Sequence, residues 1–170
     1  MLRVKGDEKM VSSGTDEMIE RIVAEYSPML LRLACTRLRS AADAEDAVQE
    51  VFLKLLSSPV RFRDAEHEKA WLIRATLHRA GDIRRRAERK NLSLEEADGL
   101  QSAGWSGTDY ILDAVRALPK KYGAVLYLHY YEGYSAKEIG KLLGLPAATV
   151  GTRLARGRER LRKSLKEDSL

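Results

Sequence analysis

Apolar residues recur along most of this chain at intervals of three and four, the spacing of helices that bury one stripe each. Met18, Ile19, Ile22 and Val23, followed by Leu30, Leu31, Leu33 and Ala34, predict helix from Asp16 to Ser40. Ser27-Pro28 interrupts that run and reads as an N-cap followed by a first-turn proline, so two helices are expected to meet there. Residues 1–15, polar and without a period, are expected to be disordered. Asp43, with Asp46 three positions on, resembles a capping box opening a helix over Ala44 to Leu56. Its buried stripe would be Ala44, Ala47, Val48, Val51, Phe52 and Leu55. Ser57-Ser58-Pro59 ends it, and a loop through Phe62 leads to a long helix from about Ala65 to Lys90 that buries Ala70, Ile73, Leu77 and Ala80.

The period is lost over residues 91–108, rich in Asn, Ser, Gly and acids, which fits a linker with Trp105 as an unexplained aromatic. It returns near Asp109, with breaks at Leu118-Pro119 and Glu132-Gly133. Ser135-Ala136-Lys137-Glu138 is a capping box, and the short helix after it buries Ile139, Leu142 and Leu143. Gly144 closes that helix as a C′ glycine, and Pro146 opens the next one at its first position. Only Gly144 and Leu145 lie between them, so the two helices turn sharply, and Gly140 leaves room for the close approach. The expected fold is therefore all-α: two small helical domains, residues 16–90 and 109–170, joined by a flexible linker.

The last helix sorts into two faces. Val150, Leu154, Gly157, Leu161 and Leu165 form a core stripe, while Thr149, Thr152, Arg153, Arg156 and Arg160 share another side. Short hydroxyl side chains at a helix start, followed by arginines, suit a recognition helix in a major groove. The bland alternative is ordinary surface charge. The cap, the turn and the two-face sorting together favour DNA binding.

Charge changes this picture by its placement rather than its total. The 170 residues carry a formal +5. Residues 7–60 hold 6 basic and 10 acidic side chains, residues 61–90 hold 10 and 5, residues 91–118 hold 1 and 5, and residues 151–170 hold 7 and 3. Two basic blocks thus flank an acidic stretch, a pattern suited to a polyanion partner. The single cysteine, Cys35, excludes an internal disulfide and a Cys-based zinc site. No run nears the roughly 18 apolar residues of a membrane span, and no signal peptide is seen, so a soluble protein of a reducing compartment is expected.

The first unit carries two surfaces of its own. Asp46, Gln49, Glu50 and Leu53 lie away from the stripe of their helix, an exposed leucine among acids that points to a basic protein partner or else to a solvated face. On the long helix, Arg74, His78, Asp82, Arg85 and Arg89 line one polar face, flanked by Arg84 and Arg86. Pairs such as His78–Asp82 would be worth about 0.2–0.5 kcal/mol each as structure. As function, the face is a track for a nucleic-acid backbone. His78 lacks a partner nucleophile or carboxylate constellation, so no enzyme and no cofactor is expected.

These residues resemble the extracytoplasmic-function (ECF) sigma factors of bacterial RNA polymerase, within the sigma-70 family, over residues 16–166. Residues 43–52, Asp-Ala-Glu-Asp-Ala-Val-Gln-Glu-Val-Phe, are similar to region 2.2 of that family. Lys69-Ala70-Trp71-Leu72-Ile73-Arg74, with Asp82 and Arg85-Arg86, resembles regions 2.3–2.4. Ala117-Leu118-Pro119, Tyr131-Glu132-Gly133-Tyr134-Ser135 with Glu138-Ile139, and Thr149-Val150 with Arg153-Leu154 and Arg156 resemble region 4.

The resemblance implies roles. Asp46, Gln49, Glu50 and Leu53 would dock on the β′ clamp helices of core RNA polymerase. The loop from Ser57 to Glu68, with Arg74, His78, Asp82, Arg85 and Arg86, would hold the opened −10 element. Thr149, Thr152, Arg153 and Arg156 would read the −35 element, and the second unit would meet the β flap. Promoter DNA, core polymerase and an anti-sigma factor are the implied partners, in the cytoplasm, with no membrane insertion. Three positions depart from the family pattern: His78 stands where Asn is frequent, Gly151 where Lys or Arg is common, and Gly157 where Ala is usual. A stand-alone helix-turn-helix regulator is the alternative, although it has no need of the acidic face from Asp46 to Leu53.

Overall fold

The computed structural model describes residues 7–58, 60–90 and 110–167, with side chains from Gly14 onward. Among them are seven helices and no strand: α1 (Asp7–Cys35), α2 (Ala41–Ser57), α3 (Ala65–Arg89), α4 (Tyr110–Ala117), α5 (Lys120–Tyr130), α6 (Ala136–Leu143) and α7 (Ala147–Glu167). The expected linker at 91–108, with Trp105, lies outside the described residues.

α1 departs from expectation at both ends of the argument. It is one helix with Pro28 inside it, and its backbone is already helical from Asp7, within the stretch expected to be disordered. A proline costs a helix interior about 3 kcal/mol. Here Ile19, Ile22 and Tyr26 are buried before it and Met29, Leu30 and Leu33 after it, all in one core. Each such side chain contributes about 1.5–3 kcal/mol, so continuing the helix outweighs breaking it. Pro28 itself is exposed, and the Ser27 hydroxyl donates to the Val23 carbonyl at 2.6 Å rather than capping a new helix. Once the helix is nucleated by that core, extending it towards Asp7 costs little.

The cap of α2 is also displaced. Ser40, in extended backbone, accepts from the Asp43 N–H at 3.3 Å, so the helix opens at Ala41 and Asp43 stands in its first turn. Burial and the neighbouring Asp46 push the Asp43 carboxyl above its ordinary value. Asp64 caps α3 through the His67 N–H at 2.7 Å. Of the expected stripes, Ala44, Ala47, Val48, Val51, Leu55, Ile73, Leu77 and Ala80 are buried, while Phe52 and Ala70 are half-buried.

α1, α2 and α3 pack mutually into one unit, and α4 to α7 into another. The two then meet, α5 on the end of α1 and α6 on α3, and a single core cluster runs through both. Within the first unit, Glu68 is buried and takes a bidentate pair from Arg21 at 3.1 and 2.8 Å. That pair holds the Arg21 guanidinium above its ordinary value, and burial lifts the nearby Tyr26 hydroxyl to about 12.

Candidate nucleic-acid interface

The helix-turn-helix is built as its residues require. The Ser135 hydroxyl accepts from the Glu138 N–H at 3.2 Å, and the Glu138 carboxylate accepts from the Ser135 N–H at 2.8 Å. That second bond holds the Glu138 carboxyl below its usual range. Gly144 adopts φ +66°, left-handed backbone that favours glycine. A Cβ on Gly140 would stand 2.6 Å from the Leu145 carbonyl oxygen, so only glycine lets the turn fold back this tightly. Pro146 takes the N-cap position, one residue before the expected place, since its carbonyl accepts from the Val150 N–H at 3.1 Å.

On α7 the stripe of Val150, Leu154 and Gly157 is buried, with Leu161 and Leu165 half-buried. The departure at Gly157 acquires a reason: a Cβ there would meet Leu126 Cδ1 at 2.9 Å, so the glycine seats α7 on α5. Thr149 and Arg153 are half-buried, whereas Thr152 and Arg156 are exposed. The Thr152 hydroxyl donates back to the Ala148 carbonyl at 3.0 Å. Arg160 is drawn aside, its guanidinium 5.5 Å from the centre of the Tyr122 ring.

The second basic face runs along α3. Arg74, His78, Arg85 and Arg86 are exposed and Asp82 is half-buried. Asp82 pairs with Arg85 and lies 3.5 Å from His78. The hydrogen bond from Arg85, ahead of the charge of His78, keeps the Asp82 carboxyl below its ordinary value. Arg79 donates to Glu50 at 2.6 Å, tying α3 to α2. Trp71 and Arg74 open into a cleft of about 780 Å³ whose far wall is Leu142 and Leu143 of α6. Phe62 leans on His67 and Trp71, with ring centres 5.7 and 5.9 Å apart, and so anchors the loop before α3.

The third surface is on α2. Asp46, Gln49, Glu50 and Leu53 are all exposed, Leu53 by 62%. Leu56, 50% exposed, extends it by one turn, and its spacing of three from Leu53 was the signal that could have found it. Sequence reasoning also missed an apolar groove floored by Ile111, Val115, Leu126 and Leu161 and rimmed by Arg158 and Arg162. Ile111 sits only two residues inside α4, where a short helix gives too few turns to establish a stripe.

Comparison with known proteins decides between the readings. Residues 22–90 match the family model for Sigma-70 region 2, and residues 108–161 match that for Sigma-70, region 4. The ECF RNA polymerase sigma factor SigW of Bacillus subtilis is 31% identical, over 98% of both chains. The chain belongs to the ECF sigma factors of the sigma-70 family. SigL of Mycobacterium tuberculosis is 29% identical over 98% of this sigma factor and 97% of its own length. Among solved structures, the sigma factor RpoE of Bartonella quintana, crystallised with the anti-sigma factor NepR, shares the fold with a TM-score of 0.65 at 22% identity, covering 86% of this sigma factor and 96% of that chain. CnrH, solved with the cytosolic domain of CnrY, gives 0.61 at 23% over 94% and 95%. A stand-alone regulator is not favoured, because the first unit matches region 2 as fully as the second matches region 4. No helix among the described residues is long and apolar enough to cross a membrane.

Proposed function

We propose that this sigma factor binds core RNA polymerase in the cytoplasm and selects promoters through three separate surfaces. RNA synthesis itself belongs to the polymerase; the sigma factor supplies the choice of start site. The observation that carries this reading is the separation of chemistry: an exposed leucine among acids on α2, a basic face on α3, and a second basic face on α7. Asp46, Gln49, Glu50 and Leu53 grip the β′ clamp helices. Leu53 supplies apolar burial, and the carboxylates match a basic partner. Arg74, His78, Asp82, Arg85 and Arg86 hold the −10 element, with phosphates on the guanidiniums and an unstacked base against the aromatic cluster of the preceding loop. Thr149, Thr152, Arg153 and Arg156 read the −35 element in the major groove. The groove beside Ile111 and Leu161, rimmed by Arg158 and Arg162, suits an apolar segment with an acidic edge, and the second unit meets the β flap. The working units are residues 16–90 and 109–170, with 91–108 as their linker, and an anti-sigma factor holds the protein in reserve.

Run-off transcription tests the reading. Purified protein added to core polymerase directs initiation at a subset of genomic promoters. Gln49→Ala with Leu53→Ala weakens core binding, and Arg156→Ala weakens −35 recognition instead. Failure to bind core, or an identical defect in the two variants, defeats it.

A further inference from the structure

A cleft of about 730 Å³ opens where the end of α1 and the turn after it meet the end of α4 and the start of α5. Arg37, Arg39, Arg116 and Lys120 line it, and Asp113 is the one acidic side chain in its wall among the described residues. Arg84 of α3 stands beside it: a single oxygen of Glu88 lies 3.8 Å from Arg84 and 3.9 Å from Lys120. The volume falls within the range of small-molecule sites, about 300–1,000 Å³. None of these side chains belongs to the sets assigned to the −10 element, the −35 element or polymerase docking.

The five cations are under-balanced. Arg116 pairs with Asp113 at 3.4 Å, but Asp113 is itself 58% exposed. Glu88, 59% exposed, is divided between Arg84 and Lys120 at distances too long for a hydrogen bond. Arg37 and Arg39 have no ion pair among the described residues, and Arg37 donates instead to the Leu77 carbonyl at 3.3 Å. Repulsion shows on the two half-buried members. Burial and the charges of Arg84 and Arg39 make the Lys120 ammonium easier to deprotonate, against the pull of Glu88. Burial and the charges of Arg84, Arg153 and Arg85 act the same way on the Arg37 guanidinium. α5 adds to the field, because it starts behind Pro119 with no side-chain cap and no acid in its first turn. Ordinary surface cations spread apart in water, whereas these converge on one cleft whose walls include the apolar Leu38 and Leu118.

We propose that this cleft is a binding site for a compact polyphosphate group, carried either by a nucleotide or by inorganic polyphosphate. Linked phosphates hold several negative charges in a small volume and meet several cations at once. Arginines grip phosphate oxygens in bidentate fashion, Lys120 adds a point charge, and the start of α5 presents the positive end of its dipole. A nucleic-acid duplex instead spreads its charge along a line, one per about 1.7 Å of axis, and suits a track such as the face of α3. The site does not depend on the promoter-reading roles proposed above, since it rests on the cleft alone. Arg37 and Arg39 come from the first unit and Arg116 and Lys120 from the second, so the full chain is needed to assemble it.

Isothermal titration calorimetry of the full chain with sodium triphosphate, at constant ionic strength, tests the proposal. Binding is saturable, and Arg39→Ala and Lys120→Ala each weaken it about tenfold. Lys120→Gln, which keeps most of the stem and loses the charge, does the same with helicity and melting unchanged. Arg86→Ala and Arg156→Ala, on the faces assigned to DNA, leave the affinity within about twofold, as distant sites should. ATP separates the two sources: tighter binding than triphosphate identifies a nucleotide whose base rests on the apolar wall, and equal or weaker binding identifies the inorganic chain. Amide shifts in NMR spectra on adding triphosphate concentrate at Arg37 to Arg39 and at Lys120 and Lys121. Absence of saturable binding at millimolar triphosphate, an equal loss in every variant, or shifts confined to α3 and α7 overturns the proposal. So does a loss of DNA affinity in Arg39→Ala and Lys120→Ala with triphosphate binding unchanged, which would make the cleft part of a nucleic-acid track.

Discussion

The basic faces of α3 and α7 are assembled in opposite ways. On α3, Arg79 takes Glu50, Arg84 takes Glu88, and Arg85 shares Asp82 with His78, while Arg74, Arg86 and Arg89 have no ion pair among the described residues. On α7, neither Arg153 nor Arg156 has an ion-pair partner among the described residues. Carboxylates lower the net field but fix where guanidiniums point, which suits a track that must hold a flexible single strand in one register. Unpaired arginines keep their reach and their full charge, which suits bidentate contact with guanine in a rigid duplex. The paired arginines of α3 are fixed by their own fold, whereas Arg153 and Arg156 of α7 are not.

The largest effect expected within either half comes from the backbone beneath α7 rather than from its charges. Gly140→Ala forces a Cβ against the Leu145 carbonyl oxygen, and backbone cannot rotate away as a side chain does. The strain costs about 1–3 kcal/mol and displaces α7 as a whole. Thermal melting falls, and −35 duplex binding falls further than −10 single-strand binding. Equal losses at both would show that the halves do not recognise DNA separately. Next in size, Arg153→Ala and Arg156→Ala each cost about 1–3 kcal/mol against the −35 duplex, read by fluorescence anisotropy, and leave the −10 oligonucleotide unaffected.

Asp82→Asn is smaller but separates the two designs most sharply. It adds a unit of positive charge to α3, so phosphate counting alone predicts tighter binding. If Asp82 positions Arg85 and His78, the −10 oligonucleotide instead binds about 1 kcal/mol more weakly, roughly fivefold. Tighter binding would mean that α3 is a plain cationic surface, no different in kind from α7.

The same contrast explains what was legible in the sequence. The second half was read almost residue by residue because its devices are local: a cap bonded three residues on, a glycine with positive φ, a turn of two residues. The exposed row from Asp46 to Leu53 was equally plain, being the complement of a regular stripe. In the first half, distant contacts overruled local signals. Pro28 reads as a helix start, but apolar burial on both sides keeps α1 continuous. Asp43 reads as a cap, but Ser40 holds the position. The Arg21–Glu68 pair joins residues 47 positions apart, and no periodicity announces it. Gly157 costs its helix about 1 kcal/mol in propensity relative to alanine, and only the distant Leu126 opposite it explains why it is there.

Acid titration gives the finest test, because carboxylates near two helix starts are driven in opposite directions. Glu138 of α6 is stabilised as an anion by the Ser135 N–H. Its folded pKa therefore lies below the unfolded value of about 4.3, and its contribution is present above that value and lost as pH falls through the folded one. Asp43 of α2 is the reverse: burial and Asp46 raise its folded pKa above the unfolded value of about 3.9. Protonating Asp43 relieves the fold, so stability from that site is gained as pH falls through its folded pKa and is complete below the unfolded value. Carboxyl carbon shifts followed by NMR should place the Glu138 midpoint below the ordinary glutamate range and the Asp43 midpoint above the ordinary aspartate range. Ser135→Ala loosens the reciprocal cap and moves the Glu138 midpoint back upward, while Asp46→Asn moves the Asp43 midpoint down. Should both midpoints sit at their ordinary values, neither the reciprocal cap of α6 nor the burial of Asp43 beside Asp46 in α2 is as the geometry has it, and the asymmetry between the halves is confined to their arginines.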